Sequence, residues 1–152
     1  MGAALGYPLH VLIALLWHDV MEDGPKEVRS QTGLLQKATG YGINRNLATQ
    51  AIEIVADLTH GQESKEDYLQ RIEDRGSDFS VLGKVLDRID NLREGRASMS
   101  SSWLDKYLIG AKSIADMAER RGFSDRPEVQ WLKNQIKTAK ASIAPTASIK
   151  RG

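Results

Sequence analysis

Four titratable side chains follow directly on an apolar run near the start of the chain. The segment at 9–23 reads LHVLIALLWHDVMED and contains no turn residue. In a helix, residues four apart share a face, so His18 and Glu22 would form one polar row. Asp19 and Asp23 would form a second row beside it. Because an isolated buried charge is costly, such groups must be paired, protonated or bound to a metal ion.

These donor types favour a transition metal. Imidazole with carboxylate suits manganese, iron or zinc, whereas magnesium and calcium prefer oxygen ligands alone. The chain has no cysteine, so histidine, aspartate and glutamate are its supply of strong metal ligands. The alternative is a helix that emerges into solvent at His18 and ends in an exposed acidic turn, although the dipole at a helix C-terminus disfavours carboxylates.

The element that holds these groups is predicted to be a buried helix. Residues 11–17 are apolar on every face, which is typical of a helix enclosed on all sides. We therefore expect this helix at the centre of the domain. The run is too short to span a bilayer and no basic leader precedes it, so the protein is expected to be cytoplasmic.

Helical periodicity also organises the rest of the chain. Asn44 or Asn46 suits an N-cap, and Ser64 with Asp67 resembles a capping box. Further helices are predicted at 25–33, 47–58, 64–72, 78–95, 103–122 and 128–143, with a loose glycine-containing region after the first of these. No segment alternates as a strand does. We predict an all-α fold, with a single domain of about seven helices over residues 1–144 and a flexible tail at 145–152.

Composition limits the classes of function. The chain has 152 residues, of which 41% are hydrophobic and 27% charged, an ordinary balance for a globular domain. Its formal charge of +1 gives no electrostatic drive towards a polyanion, so neither nucleic acid nor a membrane is an expected partner. Trp17, Trp103 and Trp131 are predicted to be core residues because each lies at an apolar position of its helix.

A second group of polar side chains lies on the predicted helix at 78–95. Asp87, Asp90 and Asn91 are spaced i, i+3 and i+4, so they share one face. Taken alone, this pattern is typical of the solvated side of an amphipathic helix. Removal of Asp87 is then expected to cost little packing.

Three stretches together resemble a known family. They read ALLWHDVMEDGP at 14–25, VADLTHGQESKEDYLQRI at 55–72 and KVLDRIDNLREG at 84–95. In order and spacing they resemble the motifs of HD-superfamily phosphohydrolases, above all the hydrolase domain of RelA/SpoT-type alarmone enzymes and their small stand-alone relatives. The resemblance covers about residues 11–96. It implies an HD-type helical domain that removes the 3′ pyrophosphate from guanosine tetra- or pentaphosphate.

The resemblance also implies roles for individual residues. His18, Asp19 and Asp87 match metal ligands, and manganese is the usual ion. Glu22 and Asp23 match the pair that positions and deprotonates the attacking water. A metal that lowers the pKa of its water and screens phosphate charge supplies what attack on a pyrophosphate ester lacks.

The same resemblance implies a nucleotide pocket. Asn91 matches a residue that lines it, Arg88 one that supports the site or meets phosphate, and Lys65, Tyr68 and Arg71 match its flanking segment. Two other functions remain open. The substrate could be another nucleotide, such as a dNTP or a phosphorylated dinucleotide, or the chain could be a catalytically silent helical module that binds a nucleotide or a partner.

One family element has no clear counterpart. The family carries a further metal-binding histidine well before the HD pair, and this chain begins 17 residues before His18. His10 is the nearest candidate, but eight residues of helix would place it about 12 Å from His18, too far for one ion. We therefore expect His10 to be a helix-start residue and the family's N-terminal helices to be missing. His60 is expected to be a surface residue at a helix end.

Overall fold

The computed structural model describes residues 5–95 and 100–143, and every regular element in these ranges is helical. The helices are α1 (Leu9–Trp17), α2 (Val20–Asp23), α3 (Gln31–Gly40), α4 (Arg45–Leu58), α5 (Lys65–Arg75), α6 (Asp78–Gly95), α7 (Ser101–Arg120) and α8 (Pro127–Ile143). A 3-10 turn, Lys26–Val28, joins α2 to α3. Seven of these helices have nine or more residues, so the predicted all-α domain of about seven helices is confirmed. The tail predicted at 145–152 lies outside the described ranges.

Helix α6 lies at the centre of the hydrophobic core. It packs against α1, α4, α5, α7 and α8, and Val81, Val85 and Ile89 are fully buried along it. Burying each of these side chains contributes about 2 kcal/mol relative to leaving it exposed. The polar residues of α6 are therefore carried by a helix that five other helices hold in place.

Helix α1 is peripheral, so the prediction of a central helix enclosed on all sides is wrong. It packs against α4 and α6 and buries Val11 and Ala14, whereas the Leu16 side chain is 80% exposed. An apolar face is buried only where a neighbouring element covers it, and within the described ranges none covers Leu16. The presence of apolar residues on every face of α1 therefore did not determine how much of the helix is buried.

The predicted continuous helix over 9–23 is also wrong, because the chain breaks at His18 and Asp19. The His18 side chain uses Nδ1 to bond the Leu15 carbonyl oxygen at 2.8 Å, and this carbonyl is the one that a continuing helix would offer to the N–H of residue 19. Asp19 has ψ near −7°, outside the usual helical range. A new turn, α2, begins there, since the N–H groups of Glu22 and Asp23 both bond the Asp19 carbonyl oxygen.

The predicted helix at 25–33 and the loose region after it are wrong as well. The 3-10 turn comes first, and Ser30 then caps α3, its Oγ accepting a hydrogen bond from the Gly33 N–H at 3.1 Å. A Cβ at Gly33 would lie 1.9 Å from the Glu27 carbonyl oxygen. Position 33 therefore requires a glycine because the preceding turn approaches it so closely. This glycine does not interrupt the helix.

The predicted caps of α4 and α5 are confirmed. Asn44 Oδ1 accepts from the N–H groups of Asn46 and Leu47 at 3.0 and 3.2 Å. Ser64 Oγ accepts from the Asp67 N–H at 3.0 Å. These bonds fix the first turns of α4 and α5. In the part of the chain that the structure describes, no helix combines the length and apolarity needed to cross a bilayer.

Candidate functional site

The break after α1 and the middle of α6 meet at His18. Its Nε2 lies 3.2 Å from Asp87 Oδ1 and 3.2 Å from Asp19 Oδ1, while Nδ1 bonds the Leu15 carbonyl oxygen. The hydrogen bond to Asp87 raises the pKa of His18 to about 9, against the opposing effect of burial. Without a metal ion, the imidazole is therefore held as a cation between two carboxylates at neutral pH.

The Asp87 side chain is mostly shielded from solvent, so the solvated-side alternative is wrong for this residue. Its side chain is 10% exposed, with Lys84 Nζ 2.9 Å from Oδ2 and Asn91 Nδ2 donating to Oδ1 at 2.9 Å. Burial alone would raise the pKa of Asp87, but the His18 hydrogen bond and the Lys84 charge outweigh it and hold that pKa well below the usual range. Asp87 is thus ionised and poised to bind a cation.

Glu22 reaches the connection between α4 and α5. Its Oε1 accepts a hydrogen bond from the backbone N–H of His60 at 2.5 Å, which fixes the carboxylate although the residue is exposed. Asp23 is also exposed, and it does not line the cavity that the other predicted residues share. Glu22 and Asp23 therefore do not occupy equivalent places, although the resemblance treats them as a pair.

A cavity of about 720 Å³ brings most of the predicted site residues together. It lies between α5, α6 and α7, and residues at the break after α1 also line it. The predicted residues on its wall are His18, Asp19, Glu22, Lys65, Tyr68, Asp87, Arg88 and Asn91. Residues from three stretches far apart in the sequence thus share one cavity, as the resemblance implied.

Two of the predicted nucleotide-contacting residues already have internal partners. The Tyr68 hydroxyl donates to the Leu58 carbonyl oxygen, and Lys84 Nζ lies 5.2 Å from the centre of the Tyr68 ring. The Arg88 guanidinium stacks over Tyr107 at 4.1 Å from the ring centre. The Arg88 Nε is buried and has no hydrogen-bond partner among the described residues.

Several wall residues were not predicted. Lys84 lies one turn before Asp87 and could have been found by its i, i+3 spacing. Trp103 and Ile109 on α7 also line the cavity, and Trp103 is 67% exposed, so its prediction as a core residue is wrong. No sequence signal marks the cavity side of α7, because its position depends on how α7 packs against α6.

His10 lies elsewhere. It lines a separate cavity of about 480 Å³ with Phe79 and Arg75, and its ring meets the Phe79 ring edge-on at 5.6 Å between centres. This cavity does not include His18 or Asp87. The structure therefore does not bring His10 to the predicted metal ligands.

The donor set fits a divalent ion in type, and two of its three spacings are compatible with one. Two donors about 2.2 Å from one ion and at a right angle lie about 3.1 Å apart, and His18 Nε2 lies 3.2 Å from each carboxylate. Over residues 5–95 and 100–143, however, no group of three or more histidine, cysteine, aspartate or glutamate side chains is arranged to hold an ion as it stands. The manganese site at His18, Asp19 and Asp87 stays a prediction.

Comparisons with protein-family models, with curated proteins and with solved structures found no match for this chain. The resemblance to HD phosphohydrolases therefore depends on the three sequence motifs.

Proposed function

We propose that the chain is an HD-type, metal-dependent phosphohydrolase that removes the 3′ pyrophosphate of guanosine tetra- or pentaphosphate and works in the cytoplasm. The observation that carries this proposal is that Asp19 and Asp87 each lie 3.2 Å from His18 Nε2 on the wall of one cavity. Periodicity gives no reason for residues 18 and 87 to meet, whereas the resemblance requires it.

Under this proposal His18, Asp19 and Asp87 hold the manganese ion. The bound ion supplies a water of lowered pKa and screens phosphate charge. His18 must lose its Nε2 proton to bind metal, and its Nδ1 bond to Leu15 keeps Nε2 directed at the carboxylates. Glu22, fixed by the His60 N–H, serves as the base for the attacking water, and Asp23 assists it from outside the cavity wall.

The remaining wall suits a phosphorylated nucleotide. Lys65, Arg88 and Lys106 line the cavity and provide cations for phosphate oxygens. Trp103 and Ile109 offer exposed apolar surface on the same wall. A planar base stacks well on an aromatic side chain such as that of Trp103. Asn91, which already donates to Asp87, also faces the cavity and has a second N–H available for the ligand.

A second candidate function is a nucleotide-binding module without turnover. It is favoured by the hydrogen bonds around Asp87, which leave His18, Lys84 and Asn91 all paired without an ion. Both functions predict that nucleotide binds in the cavity. They differ in whether pyrophosphate is released, which only the first function predicts and which then requires manganese and Asp87.

Activity with guanosine tetraphosphate across a manganese titration separates the two functions. We expect sub-stoichiometric metal on purification and weak turnover that rises at high manganese, because only three protein ligands are assigned. Asp87→Asn should abolish turnover. Asp90→Asn is the matched control, since Asp90 lies on the same helix with its side chain 67% exposed, and should leave turnover unchanged. Pyrophosphate release that persists in Asp87→Asn would refute the proposed metal site.

A further inference from the structure

The connection between α4 and α5 is held rigidly against α5. Arg71 donates to the carbonyl oxygens of Asp57 and Thr59 at 3.1 and 2.9 Å and pairs with Glu63 at 2.8 Å. The Tyr68 hydroxyl donates to the Leu58 carbonyl oxygen. These bonds begin on one helix and fix the whole connection, so the side chains that it presents to the cavity are pre-organised.

His60 lies at the middle of this connection and makes two contacts. Its backbone N–H donates to Glu22, and its ring meets the Tyr68 ring edge-on at 4.9 Å between centres. The His60 ring lies on the wall of the same cavity as His18 and Asp87. Its Nε2 is shielded from solvent and has no hydrogen-bond partner among the described residues.

An unpartnered Nε2 in this position points to a ligand. Buried polar atoms nearly always have a hydrogen-bond partner, and leaving one unmet is costly. Lys65 and Lys84 line the same cavity and attract an anion. The carboxylates of Glu22 and Asp87 also line it, and the His18 imidazole, or a bound cation, compensates for the charge of Asp87.

We infer that His60 is a substrate-binding residue whose ring turns towards the bound nucleotide, so that Nε2–H donates a hydrogen bond to a phosphoryl oxygen. This inference rests on the proposed function, since it assumes a phosphorylated ligand in the cavity. It assigns His60 two tasks at one point: the backbone N–H orients Glu22, and the side chain holds the phosphoryl group beside it.

The chain provides its own control for this role. His10 also meets an aromatic ring edge-on, at 5.6 Å from Phe79, but it lines the other cavity. Replacing either histidine by phenylalanine keeps an aromatic contact and the backbone N–H, and removes both ring nitrogens. The two variants therefore differ in whether a nitrogen is lost from the candidate site.

Binding is measured by calorimetry with guanosine tetraphosphate and with inorganic pyrophosphate, each with and without manganese. His60→Phe should weaken binding of both probes about tenfold, the loss expected for one hydrogen bond to a charged group. His10→Phe should bind as the wild type does. His60→Gln, which retains an N–H donor, should recover part of the loss. Circular dichroism establishes that each variant is folded.

A second measurement follows binding to the wild-type protein directly. The chain has three histidines, so its imidazole ¹⁵N spectrum is simple, and His60→Phe and His10→Phe assign it. Adding pyrophosphate with magnesium should shift the His60 Nε2 signal and leave that of His10 in place. Unchanged binding in His60→Phe, or a silent His60 signal while the wild type binds pyrophosphate, would overturn the inference and leave the proposed function standing. A wild type that binds neither probe would overturn both.

Discussion

Replacing Asp87 by alanine is expected to destabilise the protein by about 3 kcal/mol, because a buried ion pair that loses one partner leaves an uncompensated charge. The Asp87 side chain is 10% exposed and lies 2.9 Å from Lys84 Nζ, and the Lys84 side chain is itself 16% exposed. Asn91 and His18 bond the same carboxylate. The polar arc of α6 suggested that this change would cost little packing, and the buried network reverses that expectation.

Lys84 allows the cause of the loss to be tested. Lys84→Met keeps most of the side-chain volume and removes the charge that Asp87→Ala leaves behind. The double variant should therefore recover at least half of the lost unfolding free energy. Urea unfolding followed by circular dichroism gives these values, and Asp90→Ala, at an exposed position of the same helix, should change stability by no more than about 0.5 kcal/mol.

Two results would refute this reasoning. A loss below about 1 kcal/mol in Asp87→Ala would be that of an exposed ion pair and would mean that solvent reaches the network. A full loss that the second substitution does not recover would mean that the cost comes from His18 or Asn91 and not from the Lys84 charge. Both results are read from the same four unfolding curves.

Three further predictions follow from single contacts. The folded pKa of His18 is about 9 against an ordinary 6.5, so the stabilisation from its protonated form is complete below pH 6.5 and is lost as the pH rises through 9. We therefore compare the unfolding free energies of the wild type and His18→Gln, measured with urea in the presence of EDTA. The difference between them should decrease by about 3 kcal/mol from pH 6.5 to pH 9. Gly33→Ala should cost about 2 kcal/mol through overpacking, whereas Gly40→Ala, whose Cβ would meet nothing within 4 Å, should not lower the melting temperature. Tyr7→Phe should cost about 1–2 kcal/mol in urea unfolding, because the Tyr7 hydroxyl donates to the fully buried Glu128 carboxylate; a neutral effect would contradict this.

Local signals predicted α4, α5 and α6 well. The bounds of α6 agree with the predicted 78–95, because an apolar arc over that length leaves little freedom in register. The Asn44 and Ser64 caps each satisfy backbone N–H groups within three residues, so neighbouring sequence was enough to place them. Where an element is decided by its own residues, the sequence was sufficient.

Contacts distant in sequence account for the errors. The burial of α1 depends on which helices cover it, and the role of Gly33 depends on the Glu27 carbonyl against which it packs. Asp87 resembled a solvated residue because its partner His18 lies 69 positions earlier in the chain, and only the resemblance paired the two. His60 appeared to end a helix at the surface, because its cavity is formed by α6 and α7, which follow it in sequence.

The break after α1 connects these errors to the site. In a continuous helix, the axis of α1 would set the direction of Glu22. Because His18 takes the Leu15 carbonyl, α2 begins as a separate turn, and from this turn Glu22 bonds the His60 N–H. The same imidazole presents Nε2 to Asp19 and Asp87. One side chain thus ends the helix, orders the carboxylates and directs the proposed base, so a substitution at His18 should disturb the position of Glu22 as well as the binding of metal.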